Sequence, residues 1–154
     1  MSKRSFEEIL EHDGVLIYTN VGDSMLPLIR QGRDLLVIRK LSGKPGKYDV
    51  VLYKRDNGQY VLHRIIKRRK QDYVMRGDNR FVKEYGITDR HIIGILTSVI
   101  RDGKEISLSS RRVRFYSYLW CGVFPIRSLL LRFRYACRRV KTLGRYDKRG
   151  LHER

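Results

Sequence analysis

A chain of 154 residues with 42% apolar content can bury the core of one domain but is too short for two full ones, so one domain with an appendage is expected. Its formal charge of +18 is unevenly placed: residues 111–154 hold thirteen Lys and Arg against two acids, so the basic excess belongs mainly to the tail. The two cysteines, Cys121 and Cys137, have no CxxC pairing and no nearby histidines, which argues against a zinc site or a disulfide framework; no metal or cofactor is expected.

Residues 1–14 carry a capping-box spacing at Ser5 and Glu8, which predicts a short helix ending near Asp13 and Gly14. The same segment mixes basic and acidic residues without a long apolar run, so neither a signal peptide nor a membrane anchor is expected in it. Residues 15–110 read as short strands: "VLIYTNV", "DLLVIRKL", "VVLYKR", "QYVLHRIIKR", "DYVMRG" and "HIIGILTSVIR". Asp56-Asn57-Gly58 and Asp102-Gly103 are hairpin signals, because Asn, Asp and Gly tolerate the positive φ of tight turns. In "QYVLHRII" strand alternation places Val61, His63 and Ile65 on one face and Leu62 and Arg64 on the other.

Residues 111–154 form a different kind of segment. "FYSYLWCGVFPI" is uncharged and aromatic, and Pro125 suits the first turn of a helix. Ile126, Leu129, Leu130, Phe133, Cys137 and Val140 then follow helical spacing, with Arg127, Arg134, Arg138, Arg139 and Lys141 off the stripe and Gly144 as a stop. This predicts a basic amphipathic helix. Arg127 interrupts the apolar run, which favours lying in an anionic headgroup region over spanning a bilayer; packing on the β-domain with the arginines in water is the alternative. Nucleic acid is not the expected partner, since no base-reading motif accompanies the charge.

The stretch "GDSMLPLIRQGRDLLVI" sets a hydroxyl, Ser24, directly before a strand. A nucleophilic serine needs a base in hydrogen-bond reach and backbone N–H groups aimed at the developing oxyanion. Gly22 permits a tight turn and close approach of a substrate backbone, and Pro27 fixes the direction of the chain after Ser24. His63 is the available base. Each piece has an ordinary structural reading as well: Gly-Asp-Ser occurs in plain turns, a lone histidine on an apolar strand face is commonly a core residue, and Gly77-Asp78-Asn79 suits a turn.

The ordered set is more specific than its parts. "GDSMLP", "GRDLLVI", "YDVVLYK", "VLHRII", "MRGDNR" and "HIIGIL" resemble, in that order over about Val15 to Ile100, the boxes of the signal peptidase I superfamily, which includes the LexA-type self-cleaving repressors. The histidine in "VLHRII", where bacterial leader peptidases and the repressors carry a lysine, is similar to the Ser/His branch of the endoplasmic-reticulum and archaeal enzymes. The resemblance implies a mainly β, LexA/signal-peptidase-like fold over residues 15–110, flanked by the N-terminal helix and the basic C-terminal helix. It implies Ser24 as nucleophile, His63 as general base, and Asp78 or Glu84 as the acid that orients the imidazole, with Asp89 a weaker candidate. The oxyanion would meet the backbone N–H of Ser24 and its neighbour Met25, and Gly22, Met25 and Pro27 would border the substrate. The implied activity is that of a serine endopeptidase cleaving signal, leader or precursor peptides after small residues.

In that family a membrane-spanning segment usually precedes the Ser-Met box, and no segment able to span a membrane lies in the 23 residues before Ser24. The expected setting is therefore cytoplasmic, or peripheral on the cytoplasmic membrane through the arginine-rich tail. The partners expected are a peptide or preprotein and an anionic membrane surface. A non-catalytic or LexA-like regulatory, nucleic-acid-binding role on the same fold is the alternative.

Overall fold

Ser5 opens the first helix, α1 (Phe6–Asp13): its hydroxyl accepts from the Glu8 N–H at 3.2 Å, and the Glu8 carboxylate accepts from the Ser5 N–H at 2.8 Å. Gly14 ends it at φ 71°, a left-handed conformation that costs glycine nothing. Eight residues are too few to hold a helix alone. Leu10, 1% exposed, ties α1 to the sheet, and burying such a side chain contributes about 2 kcal/mol, more than a single cap.

The computed structural model describes residues 4–19, 21–126 and 128–129, and among them the protein is mainly β. The strands are β1 (Val15–Thr19), β2 (Asp34–Lys40), β3 (Val50–Lys54), β4 (Tyr60–Arg68), β5 (Tyr73–Arg76), β6 (Glu84–Ile87), β7 (Ile92–Arg101) and β8 (Lys104–Ser107). They form an antiparallel sheet in the order β1-β2-β7-β3-β4-β5-β6, with β8 paired to β7. Strand β7 is paired with β2 on one side. On the other it pairs first with β3, from Ile92 to Ile95, and then with β8, from Ser98 to Arg101.

Both hairpin signals lie at hairpins. The β3–β4 loop closes with the Arg55 N–H donating to the Gln59 carbonyl at 2.9 Å, and Gly58 sits at φ 83°. Asp102 and Gly103, at φ 49° and 76°, join β7 to β8 in the two-residue turn whose twist matches paired strands.

The sheet buries both faces. Val50, Leu52 and Leu62 join Leu10, Met25 and Ile29 in one apolar cluster, while Val51, Tyr53 and Ile65 join Tyr73, Met75 and Ile87 in another. Alternation along β3 and β4 assigns these side chains to their clusters.

Helix α2 (Arg111–Gly122) starts fourteen residues earlier than the helix expected from Pro125, and Ser110 caps it by accepting from the Val113 N–H at 3.4 Å. Most of the helix expected after Pro125 lies outside the described residues. No helix among the described residues is long and apolar enough to cross a membrane.

Candidate active site

Between β1 and β2 the chain runs through consecutive turns that carry Ser24. Gly22 sits at φ 123°, and a Cβ there would touch nothing within 4 Å, so its requirement is conformational rather than one of space. Met25 and Ile29 are fully buried and pin the loop to the core. The Met25 side chain therefore does not border a substrate surface in this structure. Pro27 is exposed and follows a cis peptide bond. The far end of the loop is tied down by Asp34, 0% exposed, which accepts from the Arg30 N–H at 2.7 Å and from Arg101 at 2.9 and 2.6 Å. These bonds hold the Asp34 carboxyl below its ordinary pKa, with Arg101 the main cause.

The loop after β5, Gly77-Asp78-Asn79, clamps the serine segment. The Asn79 N–H donates to the Ser24 carbonyl at 2.7 Å, and the Asn79 side-chain amide donates to the Asp23 carbonyl at 3.1 Å. Arg80 pairs with the Asp23 carboxylate. A Cβ at Gly77 would lie 2.7 Å from the Ser24 carbonyl oxygen and 3.1 Å from His63 Nε2. Only glycine fits between them. The Ser24 carbonyl and His63 Nε2, 39 positions apart in sequence, thus both approach the space of one missing side chain.

His63 lies on β4 opposite Val51 of β3, and Tyr53 is two residues along on the same face. The other ring nitrogen, Nδ1, is 3.1 Å from the Tyr53 hydroxyl oxygen. Tyr53 donates its hydroxyl proton to Glu84 at 2.7 Å, and Arg55 holds both oxygens of that carboxylate at 2.7 and 2.6 Å. Burial opposes ionisation of Glu84, but the bonds from Arg55 and Tyr53 outweigh it and keep the carboxyl below its ordinary pKa. Burial, together with Glu84, pushes the Tyr53 phenol far up, so it keeps its proton. Burial likewise pushes His63 down to about 4, with Glu84 pulling the other way and Arg55 and Arg80 adding to the fall.

The three candidate acids are placed differently. Glu84 reaches the imidazole through Tyr53. Asp78, 4% exposed, gives both carboxylate oxygens to Arg64, at 2.8 and 2.7 Å. Arg64 in turn donates to the Tyr48 carbonyl and the Ser117 hydroxyl, both at 2.8 Å, so this pair ties β4 and the clamp loop to α2. Asp89 accepts from the Tyr73 hydroxyl and pairs with Lys44 at 3.1 Å, on another part of the sheet.

Among the described residues, the N–H groups of Ser24 and Met25 donate to no protein acceptor, and the Ser24 hydroxyl has no hydrogen-bond partner. Two adjacent free donors beside a hydroxyl are what a developing oxyanion requires. No group of three or more His, Cys, Asp or Glu that could hold a metal occurs among the described residues. A cavity of about 950 Å³ opens where β3 and β8 part along β7 and α2 crosses the gap, lined by Tyr48, Val50, Leu96, Leu108 and Phe115; neither Ser24 nor His63 borders it.

Sequence reasoning missed Tyr53 and Arg55. Strand alternation places Tyr53 on an inward face, where an aromatic reads as core, and only the β3–β4 register brings it beside His63. Compared with protein-family models, curated proteins and solved structures, the chain has no significant match.

Proposed function

We propose that the protein is a serine endopeptidase of the signal-peptidase type, on a LexA/signal-peptidase-like fold, with Ser24 as nucleophile and His63 as general base. The observation that carries this reading is the convergence of His63 Nε2 and the Ser24 segment on Gly77, while Nδ1 is engaged on the opposite side. In the reaction, Nε2 takes the Ser24 proton as Oγ bonds to the scissile carbonyl carbon, and the N–H groups of Ser24 and Met25 receive the oxyanion. Collapse breaks the C–N bond, and the imidazolium returns its proton to the departing amine. Water then attacks the acyl-enzyme with His63 again as base and frees Ser24. Proton transfer needs Oγ within about 3 Å of Nε2, a contact that commonly tightens only when substrate binds.

The substrate would be an extended peptide added alongside a strand, cut after small residues as the sequence resemblance implies. The place of action would be an anionic membrane surface. Phe115, Tyr118 and Leu119 of α2, with Ile126 and Leu129 beyond it, are 55–71% exposed, and Arg111, Arg112 and Arg114 fill the first turn.

The deciding experiment is cleavage of a panel of leader-type peptides, with vesicles present, by wild type, Ser24→Ala and His63→Ala. Cleavage by wild type, with each variant slower by roughly a thousandfold or more, is expected. Equal rates for wild type and Ser24→Ala would end the reading.

A further inference from the structure

A phenol has one proton to give. Tyr53 lies 3.1 Å from His63 Nδ1 and 2.7 Å from a Glu84 oxygen, and only one of those partners can receive its hydrogen. Glu84 is acceptor-only when ionised, and two bonds from Arg55 fix its orientation, so the hydrogen goes to Glu84. The Tyr53 oxygen then faces Nδ1 as an acceptor, and the close pair is satisfied only if Nδ1 carries a hydrogen. A neutral imidazole has a single N–H. With that hydrogen on Nδ1, the lone pair is on Nε2, the nitrogen beside Gly77 and the Ser24 segment.

We infer that Tyr53 is a positioning residue: through Glu84 and Arg55 it fixes the neutral His63 tautomer that leaves Nε2 unprotonated and turned toward Ser24. The inference rests on the Ser24–His63 reading for its catalytic meaning, but the tautomer itself is a property of the resting protein. Tyr53 does the work that a carboxylate does by direct contact in a Ser-His-Asp triad. It does so with a neutral group, and the Arg55 cation balances the Glu84 charge behind it. The relay thus sets proton position and ring orientation while adding little net negative charge next to the imidazole. During acyl transfer the proton that moves is the Ser24 proton, to Nε2 and on to the leaving amine; the Nδ1–H and the Tyr53 O–H stay in place.

The test is long-range ¹H–¹⁵N NMR of the His63 ring at neutral pH in wild type, Tyr53→Phe and Glu84→Leu, with peptide cleavage measured in parallel. Wild type should show Nδ1 protonated and Nε2 bare. Tyr53→Phe removes the acceptor, so the Nε2–H form should appear. Glu84→Leu leaves Tyr53 without its carboxylate acceptor, and Arg55, a third exposed, turns to solvent. The phenol then turns its proton to Nδ1 and drives the hydrogen to Nε2, even though the tyrosine is still present. In both variants kcat should fall by about a hundredfold or more with KM little changed, as for a histidine held in the wrong tautomer. If Tyr53→Phe does not fold, Glu84→Leu decides. A wild-type proton on Nε2, or folded variants that keep the wild-type ring pattern, would overturn the inference. Tautomer shifts in a protein that cuts no peptide would leave the role of Tyr53 standing and remove the peptidase reading; cleavage with unchanged tautomers would do the reverse.

Discussion

At the scale of single residues, His63 is set by competing pressures that can be ranked. Burial is the largest and disfavours the imidazolium; Glu84 and Asp78 favour it, and Arg55 and Arg80 oppose it, leaving the group at about 4. As the proposed general base, His63 would act only when neutral, so activity would be present above that value and lost as pH falls through it. The expected profile of kcat/KM therefore keeps its plateau through pH 6 and has its acid limb near pH 4, well below the 6.5 of an unperturbed imidazole. A stopped assay across pH 3.5–8, in buffers where folding is followed by circular dichroism, measures it. A limb at 6.5 in folded protein would mean that the ring is solvated in the active form. The cost of the low value is a weaker proton acceptor, which in the proposed mechanism would place the demand for transition-state stabilisation on the N–H groups of Ser24 and Met25.

At the scale of elements, two ion pairs hold the serine segment from opposite ends: Asp34 with the part-buried Arg101 of β7, and the fully buried pair of Asp78 with Arg64 of β4. Asp78 sits next to Gly77, so its removal would loosen the clamp on Ser24 as well as strand a buried guanidinium. Breaking one partner of such a pair costs about 3–5 kcal/mol. For a chain of this size Asp78→Ala should lower Tm by roughly 10 °C, whereas Glu84→Gln, which keeps one acceptor for Arg55 at a partly exposed pair, should lower it less. Thermal unfolding of the two variants side by side separates the structural acid from the relay acid. Local pattern announces some elements and hides others. The Ser5–Glu8 box and the Asp-Gly turns act within three or four residues, and the sequence displays them directly. Strand β6 is four residues long and holds Gly86 at φ 78°, so no alternation announces it, and it carries Glu84. Helix α2 has one apolar face turned to solvent, so its aromatics gave no sign of which side packs. Ser24, His63 and Glu84 were legible as residue types in an ordered pattern, but the Tyr53 bridge depends on register across two hairpins, which spacing along the chain does not encode.

At the scale of the whole molecule, the charge of +18 and the exposed face of α2 would meet the proposed membrane surface by different physics. Attraction of basic residues to an anionic surface is worth about 1 kcal/mol per residue within reach and fades beyond a Debye length of about 8 Å at physiological salt. Burial of aromatic and aliphatic side chains in the headgroup boundary is insensitive to salt. A surface-bound enzyme using both should bind vesicles containing anionic lipid, lose part of its affinity at 0.5 M salt, and retain the remainder. Changing Phe115, Tyr118 and Leu119 together to serine should remove the salt-resistant part and leave the charge-dependent part. Phe115 and Tyr118 line the cavity that neither Ser24 nor His63 borders, so cleavage of a soluble peptide should change little while cleavage of a vesicle-anchored one falls. Vesicle flotation at two salt concentrations, with double-stranded DNA of equal charge as competitor, gives the comparison. Binding that DNA abolishes completely, with no contribution from the three apolar residues, would assign the basic surface to nucleic acid and detach α2 from any membrane role.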